Sequence, residues 1–79
     1  MMKKIILIVE DEKKLANILI EYLNKDGFQT KHILIGSKVI PWVKKHNPNL
    51  ILLDLMLPEM NGKQICQEIR TFSSLPIIM

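Results

Sequence analysis

The sequence predicts an α/β fold in which a doubly wound parallel sheet carries helices on its faces. Two short, unbroken apolar runs, Ile5–Val9 and Leu50–Leu53, have the composition of strands buried on both faces. Segments of roughly ten to fifteen residues with helical periodicity alternate with the strand-like segments, which gives the order β-α-β-α-β-α-β. Because parallel crossovers are almost always right-handed, this order predicts a doubly wound sheet.

The first predicted helix follows the first strand and spans Glu12–Asp26. Asp11 is a suitable N-cap residue, and Gly27 suits the left-handed position that follows a helix C-terminus. Apolar residues recur at helical spacing along this segment, and we expect them to form its buried face: Leu15, Ile18, Leu19, Tyr22 and Leu23.

The second predicted strand, Phe28–Ile35, is more polar than the first, which favours a position near the sheet edge. Gly36 and Ser37 then open a shorter helix at about Lys38–His46. Pro41 is tolerated only in a first turn, so this helix must begin close to Ser37 or be bent. Its expected inner side comprises Val39, Ile40 and Val43.

The third strand leads through a loop into a third helix, which is predicted to start at Asn61. Asn61 and Gln64, three residues apart, resemble a capping box. The expected inner face of this helix comprises Ile65, Cys66, Ile69 and Phe72. A fourth strand is expected to begin within Pro76–Met79.

The length and composition of the chain describe one globular domain. The 79 residues are 48% apolar and 24% charged, which excludes two domains. Cys66 is the only cysteine, and the apolar run after Lys4 ends too early for a signal peptide, so a reducing cytoplasm is favoured. The apolar runs are also far too short to span a membrane.

The formal charge of +3 is a weak bias, because eleven basic and eight acidic residues are mostly interspersed. Nucleic-acid binders usually gather Lys and Arg on one stripe together with aromatic residues. Trp42 is the one aromatic residue near a basic cluster, Lys44 and Lys45. Direct nucleic-acid binding by this chain is therefore not expected.

Acidic residues follow the two apolar strands at their carboxyl ends: Glu10 and Asp11 after the first strand and Asp54 after the third. If the strand order is 2-1-3-4, these strands are neighbours at the point where the order reverses, and the three acids share one pocket. Three close carboxylates repel one another unless a cation compensates them. Such a set of oxygen ligands is the pattern of a Mg²⁺ site, and a carboxylate beside the metal can attack a phosphoryl group.

A simpler interpretation remains open for part of this group. Asp11 and Glu12 also suit the charged start of a helix, without any further role. Asp54 has no helix to cap and would be costly to bury unpaired, so a functional interpretation is favoured for it.

At these residues the sequence resembles the receiver domain of bacterial two-component response regulators. The segment Lys4–Glu12 resembles the family's first strand and acidic pair, and Asp54–Gly62 resembles its phosphoacceptor strand and the following loop. The resemblance extends over residues 1–79 and implies the flavodoxin-like strand order 2-1-3-4. The run Leu55-Met56-Leu57-Pro58 is similar to regulators that carry a winged-helix DNA-binding output domain.

The resemblance also implies roles for individual residues. Asp54 would take a phosphoryl group from a histidine kinase, and Asp11 would bind Mg²⁺ directly. Glu10 would bind the metal directly or through water, and the backbone carbonyl of Met56 would complete the protein ligands. The chain would be a signalling module and not an enzyme, beyond catalysing its own phosphorylation and dephosphorylation.

Two further surfaces follow from the same resemblance. Pro58 and Gly62 would shape the loop before the third helix. The first helix would lie near the surface that histidine kinases touch, through Lys14, Leu15 and Ile18.

The sequence departs from the family pattern after its fourth strand. Family members carry a Ser or Thr after that strand, a Lys after a fifth strand and an aromatic switch residue on it. Residues 1–79 are therefore expected to be the N-terminal part of one receiver domain, without the fifth strand and the last two helices. We expect that this part cannot complete the phosphoryl switch, and that the open edge of its fourth strand leads to a homodimer or a higher assembly.

Two alternative functions stay open. A pseudo-receiver would act through protein contacts without phosphate, although Asp54 and Asp11 are both present. A small nucleotide-binding domain would need a glycine-rich loop, and none follows either apolar strand. No functional role is expected for Cys66, which should be a small buried residue on an apolar helix face, or for His32 and His46, which lack partners at metal-ligand spacing.

Overall fold

The computed structural model describes residues 3–54, 57 and 60–79. Its elements are β1 (Ile5–Val9), α1 (Lys13–Lys25), β2 (Gln29–Ile33), a 3-10 turn (Gly36–Lys38), α2 (Val39–His46), β3 (Leu50–Leu53), α3 (Gly62–Arg70) and β4 (Ile77–Ile78). The strands form one parallel sheet in the order β2-β1-β3-β4. The predicted α/β class and the order 2-1-3-4 are therefore confirmed.

The central strand β1 anchors two hydrophobic clusters, one on each face of the sheet. Alternate residues of β1 point to opposite faces, and all four from Ile6 to Val9 are buried. One cluster joins the sheet to α2 and α3 and contains Leu7, Val9, Val39, Val43, Ile51, Leu53, Ile65 and Ile69. The other joins the sheet to α1 and is built on Ile6, Ile8 and Ala16. Burial of β1 on both faces is as predicted.

The buried face of α1 differs from the prediction. Leu15, Ile18 and Tyr22 are 43%, 52% and 70% exposed, whereas Ala16 is fully buried. Leu19, Ile20 and Leu23 pack with Ala16 against the sheet. Two neighbouring faces of this helix satisfy the helical period, and the face with the small Ala16 side chain is the one that lies against the strands. The exposed face remains available for contacts outside the sheet.

The ends of the helices match the predicted signals in part. Gly27 has a φ of +94°, as expected of the residue that reverses the chain after α1. The residues before α2 form a 3-10 turn, so α2 begins at Val39 and Pro41 is its third residue. The missing N–H of Pro41 costs no helical hydrogen bond, because the first N–H groups of a helix have no partner within it. The side chain of Asn61 accepts a hydrogen bond from the Gln64 N–H at 2.9 Å, which confirms the predicted cap of α3.

Two expectations about side chains near the helix ends were wrong. The N-cap of α1 is Glu12 and not Asp11, and its side chain makes no capping hydrogen bond. Phe72 lies beyond the end of α3 and is 40% exposed instead of buried, with the Lys44 Nζ 5.1 Å from the centre of its ring. The short final turn carries Phe72 away from the core that holds Ile65 and Ile69.

Within the described ranges, no helix is long and apolar enough to cross a membrane.

The two faces of α1 can be distinguished by mutation. Ala16→Leu adds volume where the helix meets the sheet and is expected to cost about 1–3 kcal/mol of unfolding free energy. Ile18→Ala removes an exposed side chain and is expected to cost under about 1 kcal/mol. Urea denaturation measures both, and a larger cost for Ile18→Ala would contradict the observed orientation of α1.

Candidate metal centre

The carboxyl ends of β1 and β3 lie side by side and bring their acidic residues together. In the parallel register Val9 pairs with Leu53, so the residues that follow both strands leave the sheet at the same level. The Asp54 N–H donates a hydrogen bond of 2.9 Å to the Val9 carbonyl oxygen. This bond extends the sheet by one residue and fixes the backbone of Asp54 to β1.

The Glu10 backbone is attached to the other neighbour, β2. The Glu10 N–H donates to the Ile33 carbonyl at 3.3 Å, and the Glu10 carbonyl oxygen lies 2.6 Å from the Nε2 of His32. The Glu10 side chain accepts a bond from the Glu12 N–H at 3.3 Å. The connection between β1 and α1 is therefore attached to the sheet immediately after Val9.

The structure brings Glu10, Asp11 and Asp54 into one cluster. One carboxylate oxygen from each residue lies within 4.8 Å of the others. Glu10 and Asp54 are half-buried, and Asp11 is exposed. Met56 and Pro58, to which the sequence also assigned roles, lie outside the described residues, whereas Gly62 is the buried first residue of α3.

Burial and like charge both act on Glu10. Desolvation raises the pKa of its carboxyl above the ordinary value, the Glu12 N–H opposes this, and the carboxylates of Asp54, Asp11 and Glu12 raise it further. Because this pKa is higher in the folded chain, ionised Glu10 costs folding free energy at neutral pH. The cost is relieved as the pH falls below the raised value or when a cation binds.

An open groove of about 530 Å³ lies beside the carboxylates. Its lining is mainly apolar and includes Ile8, Leu19, Leu52 and Ile78 in addition to Glu10 and Asp54. Apolar neighbours reduce the hydration of a carboxylate, so they strengthen both its repulsion by like charges and its attraction to a cation.

The cluster fits a small divalent cation. Mg²⁺ takes hard oxygen ligands at about 2.0–2.1 Å in an octahedron, so its ligand oxygens lie no more than about 4.2 Å apart. The 4.8 Å limit for the three carboxylate oxygens is close to this spacing. The residues present are therefore suitable to hold Mg²⁺, with Glu10, Asp11 and Asp54 as the carboxylate ligands.

One residue at this end of the sheet was missed by the sequence. His32 has no partner at metal-ligand spacing in the chain, and only its register opposite Ile8 brings it beside the end of β1. A signal was present in the predicted parallel pairing of β1 with β2, because some residue of the second strand must then lie near Glu10, and in the observed register that residue is His32. The exposed residues Lys14, Leu15 and Ile18 lie on the first half of α1, the end nearer the cluster.

Comparison with known proteins finds many receiver domains that resemble this chain. Residues 6–79 match the family described as "Response regulator receiver domain". The transcriptional regulatory protein BaeR of Escherichia coli O6:H1 is 51% identical over 74 residues, which are 94% of this chain and 31% of BaeR. The DNA-binding response regulator MtrA of Mycolicibacterium smegmatis is 44% identical over 78 residues, which are 99% of this chain and 34% of MtrA. The chain thus spans about a third of the length of these curated relatives.

Solved structures give the same answer for the fold. The response regulator TrrA of Thermotoga maritima, in complex with Mg²⁺-BeF, superposes with a TM-score of 0.89 at 28% identity, over 96% of this chain and 67% of TrrA. TrrA in complex with the histidine kinase ThkA superposes with a TM-score of 0.87, over 94% of this chain and 65% of TrrA.

The charge repulsion at the carboxylate cluster can be measured as stability. Glu10→Gln removes one negative charge and is expected to raise the metal-free Tm by about 1–4 °C, while reducing the further rise that Mg²⁺ produces. Differential scanning calorimetry with and without Mg²⁺ tests this. Glu21→Gln, an exposed carboxylate toward the other end of α1, is the matched control and should change neither value by as much. A lower metal-free Tm for Glu10→Gln would contradict the repulsion.

Proposed function

The chain belongs to the response regulator receiver domain family, and on this basis we propose that its Asp54 accepts a phosphoryl group from a histidine kinase. The observation that carries the proposal is the meeting of Glu10, Asp11 and Asp54 within 4.8 Å at the carboxyl end of the sheet. Receiver domains are signalling modules, and the proposed reaction is the signal that this one receives.

Asp54 is the proposed nucleophile, because it directly follows the buried strand β3 and its carboxylate belongs to the cluster. One of its carboxylate oxygens attacks the phosphorus of a phosphohistidine, and the bond between phosphorus and the histidine nitrogen breaks. The product is an acyl phosphate on Asp54, and the electron pair of the broken bond returns to the imidazole of the kinase. The hydrogen bond from the Asp54 N–H to Val9 holds the backbone of the nucleophile during this transfer.

Glu10 and Asp11 are the proposed holders of Mg²⁺, together with Asp54 and the backbone carbonyl of Met56. When bound, Mg²⁺ supplies positive charge that offsets the charge of the nucleophile and of the transferred group. The three carboxylates support this role, because they lie within 4.8 Å of one another and a bound cation would offset their mutual repulsion. Complex formation with Mg²⁺-BeF by the similar protein TrrA supports the same assignment.

The exposed face of α1 is the proposed contact with the kinase. Lys14, Leu15 and Ile18 point away from the sheet near the acidic end, and TrrA has been solved in complex with a histidine kinase. We also propose that phosphorylation in the cytoplasm controls a DNA-binding output domain outside residues 1–79. The names of BaeR and MtrA, a transcriptional regulator and a DNA-binding response regulator, support this output.

A phosphate-independent pseudo-receiver is the less favoured function. A module that works only through protein contacts has no need for three carboxylates whose oxygens lie within 4.8 Å of one another. The described structure retains both the acidic pair after β1 and the aspartate after β3.

We further propose that residues 1–79 self-associate through β4, because this two-residue strand forms one edge of the sheet that the described residues build. An edge strand offers unpaired backbone groups to a second chain. Ile78 and Met79 are 56% and 59% exposed beside that edge, which adds apolar surface to the contact.

Phosphorylation is tested with a small-molecule phosphodonor. Incubation with Mg²⁺ and acetyl phosphate is expected to add the mass of one phosphoryl group, as read by intact-mass spectrometry. The adduct should be lost in Asp54→Asn and should be cleaved by hydroxylamine, which attacks acyl phosphates. Asp26→Asn, at the C-cap of α1, is the matched control and should keep the adduct. An adduct that persists in Asp54→Asn would contradict the assignment of the nucleophile.

Self-association is tested by sedimentation at several protein concentrations. The wild-type chain is expected to sediment as a dimer or larger species, and Ile78→Lys should shift it toward the monomer because a charged side chain at a sheet edge opposes pairing. Lys63→Ala on α3 serves as the control, since it changes an exposed residue away from this edge. A wild-type chain that stays monomeric throughout would contradict the proposal.

A further inference from the structure

We propose that His32 is a positioning residue for the carboxylate cluster, which it serves through the backbone of Glu10. Its ring N–H fixes the peptide group between Glu10 and Asp11 and thereby presents the Asp11 carboxylate to a divalent cation. This inference rests on the proposed function of the cluster and adds a residue that makes no contact with the metal itself.

The hydrogen bond that carries the inference has a defined direction. The Nε2 of His32 lies 2.6 Å from the carbonyl oxygen of Glu10. A carbonyl oxygen only accepts, so Nε2 carries the proton and donates it. His32 is half-buried on β2, and its hydrogen bond to Glu10 is partly shielded from solvent.

This bond completes a set of attachments on both sides of Glu10. The Glu10 N–H donates to the Ile33 carbonyl, so the peptide groups before and after Glu10 are both connected to β2. On the other side of β1, the Val9 carbonyl accepts from the Asp54 N–H. The end of β1 is therefore hydrogen-bonded to β2 on one side and to Asp54, after β3, on the other. Of these three hydrogen bonds, the one from His32 is the only one made by a side chain.

Asp11 depends on this peptide group more than Glu10 does. Glu10 follows β1 directly, whereas Asp11 is exposed on the short connection that precedes α1. Rotation of the peptide between Glu10 and Asp11 would swing the Asp11 carboxylate relative to the other two acids. At the other end of the connection, the Glu12 side chain makes no capping bond, and the Glu12 backbone is held by its carbonyl, which accepts from the Ala16 N–H, and by its N–H, which donates to the Glu10 carboxylate. None of these bonds involves the carbonyl oxygen of Glu10. The bond from His32 opposes this rotation.

The expected consequence is weaker metal binding when the donor is removed. Loss of a single hydrogen bond changes an equilibrium constant by about threefold to tenfold. Removal of residues that hydrogen-bond to metal ligands lowers metal affinity by at least that factor. His32→Leu is therefore expected to raise the Mg²⁺ dissociation constant by about threefold to tenfold. His32→Gln should restore most of the affinity, because the glutamine Nε2 is separated from Cβ by the same number of bonds and donates to the same carbonyl.

The experiment compares these variants by titration calorimetry with MgCl₂ and by metal-free thermal unfolding. His46→Leu is the matched control, since it removes an exposed histidine at the end of α2, away from the carboxylates, and should leave the Mg²⁺ dissociation constant unchanged. Long-range ¹H–¹⁵N spectra of the metal-free protein give an independent readout, and they should show the His32 proton on Nε2.

Each outcome decides the inference. Weaker binding in His32→Leu with recovery in His32→Gln supports it, as does a proton on Nε2. Wild-type affinity in His32→Leu, or a neutral ring with its proton on Nδ1, overturns the positioning role alone. Absence of Mg²⁺ binding by the wild-type chain contradicts the proposed function of the cluster itself and removes the basis of the inference.

Discussion

The parallel register of β1 with its two neighbours is the constraint on which the rest of the structure depends. Val9 is paired with Ile33 on one side and with Leu53 on the other, so all three strands end at the same level. A shift of one residue in the pairing of β1 with β3 would move Asp54 relative to Glu10 by about 3.3 Å along the strand direction and change the face to which its side chain points. The carboxylate cluster exists only because this register is fixed.

The register is fixed by the apolar residues that precede the acids. From Ile6 to Val9 every side chain of β1 is buried, and β3 contributes Ile51 and Leu53 to the larger cluster. Burial of these side chains stabilises the sheet against the repulsion among Glu10, Asp11 and Asp54. Glu10 therefore occupies a position that disfavours its ionised form, which is common where chemistry and not stability determines the residue.

Apolar patterns in the sequence predicted β1 and β3 well, and the strand order that brings their acidic residues together was implied by the resemblance to receiver domains. Ile5–Val9 and Leu50–Leu53 have the predicted bounds, and Asn61 caps α3 as its spacing indicated. The buried face of α1 could not be predicted from period alone, since the faces that contain Ala16 and Ile18 are both apolar. His32 was missed as well, because its partner is a backbone carbonyl, and only the pairing of β1 with β2 indicates that the two groups meet.

Helix α1 has two apolar stripes, one that packs against the sheet and one that faces solvent. Ala16 and its neighbours meet the sheet, while Leu15, Ile18 and Tyr22 are turned to solvent on the same helix. Substitutions on the outer stripe can therefore change the surface that the helix presents to solvent while the inner stripe keeps its packing. Duplicated copies of such a gene could diverge on this surface without first accumulating compensating changes in the interior.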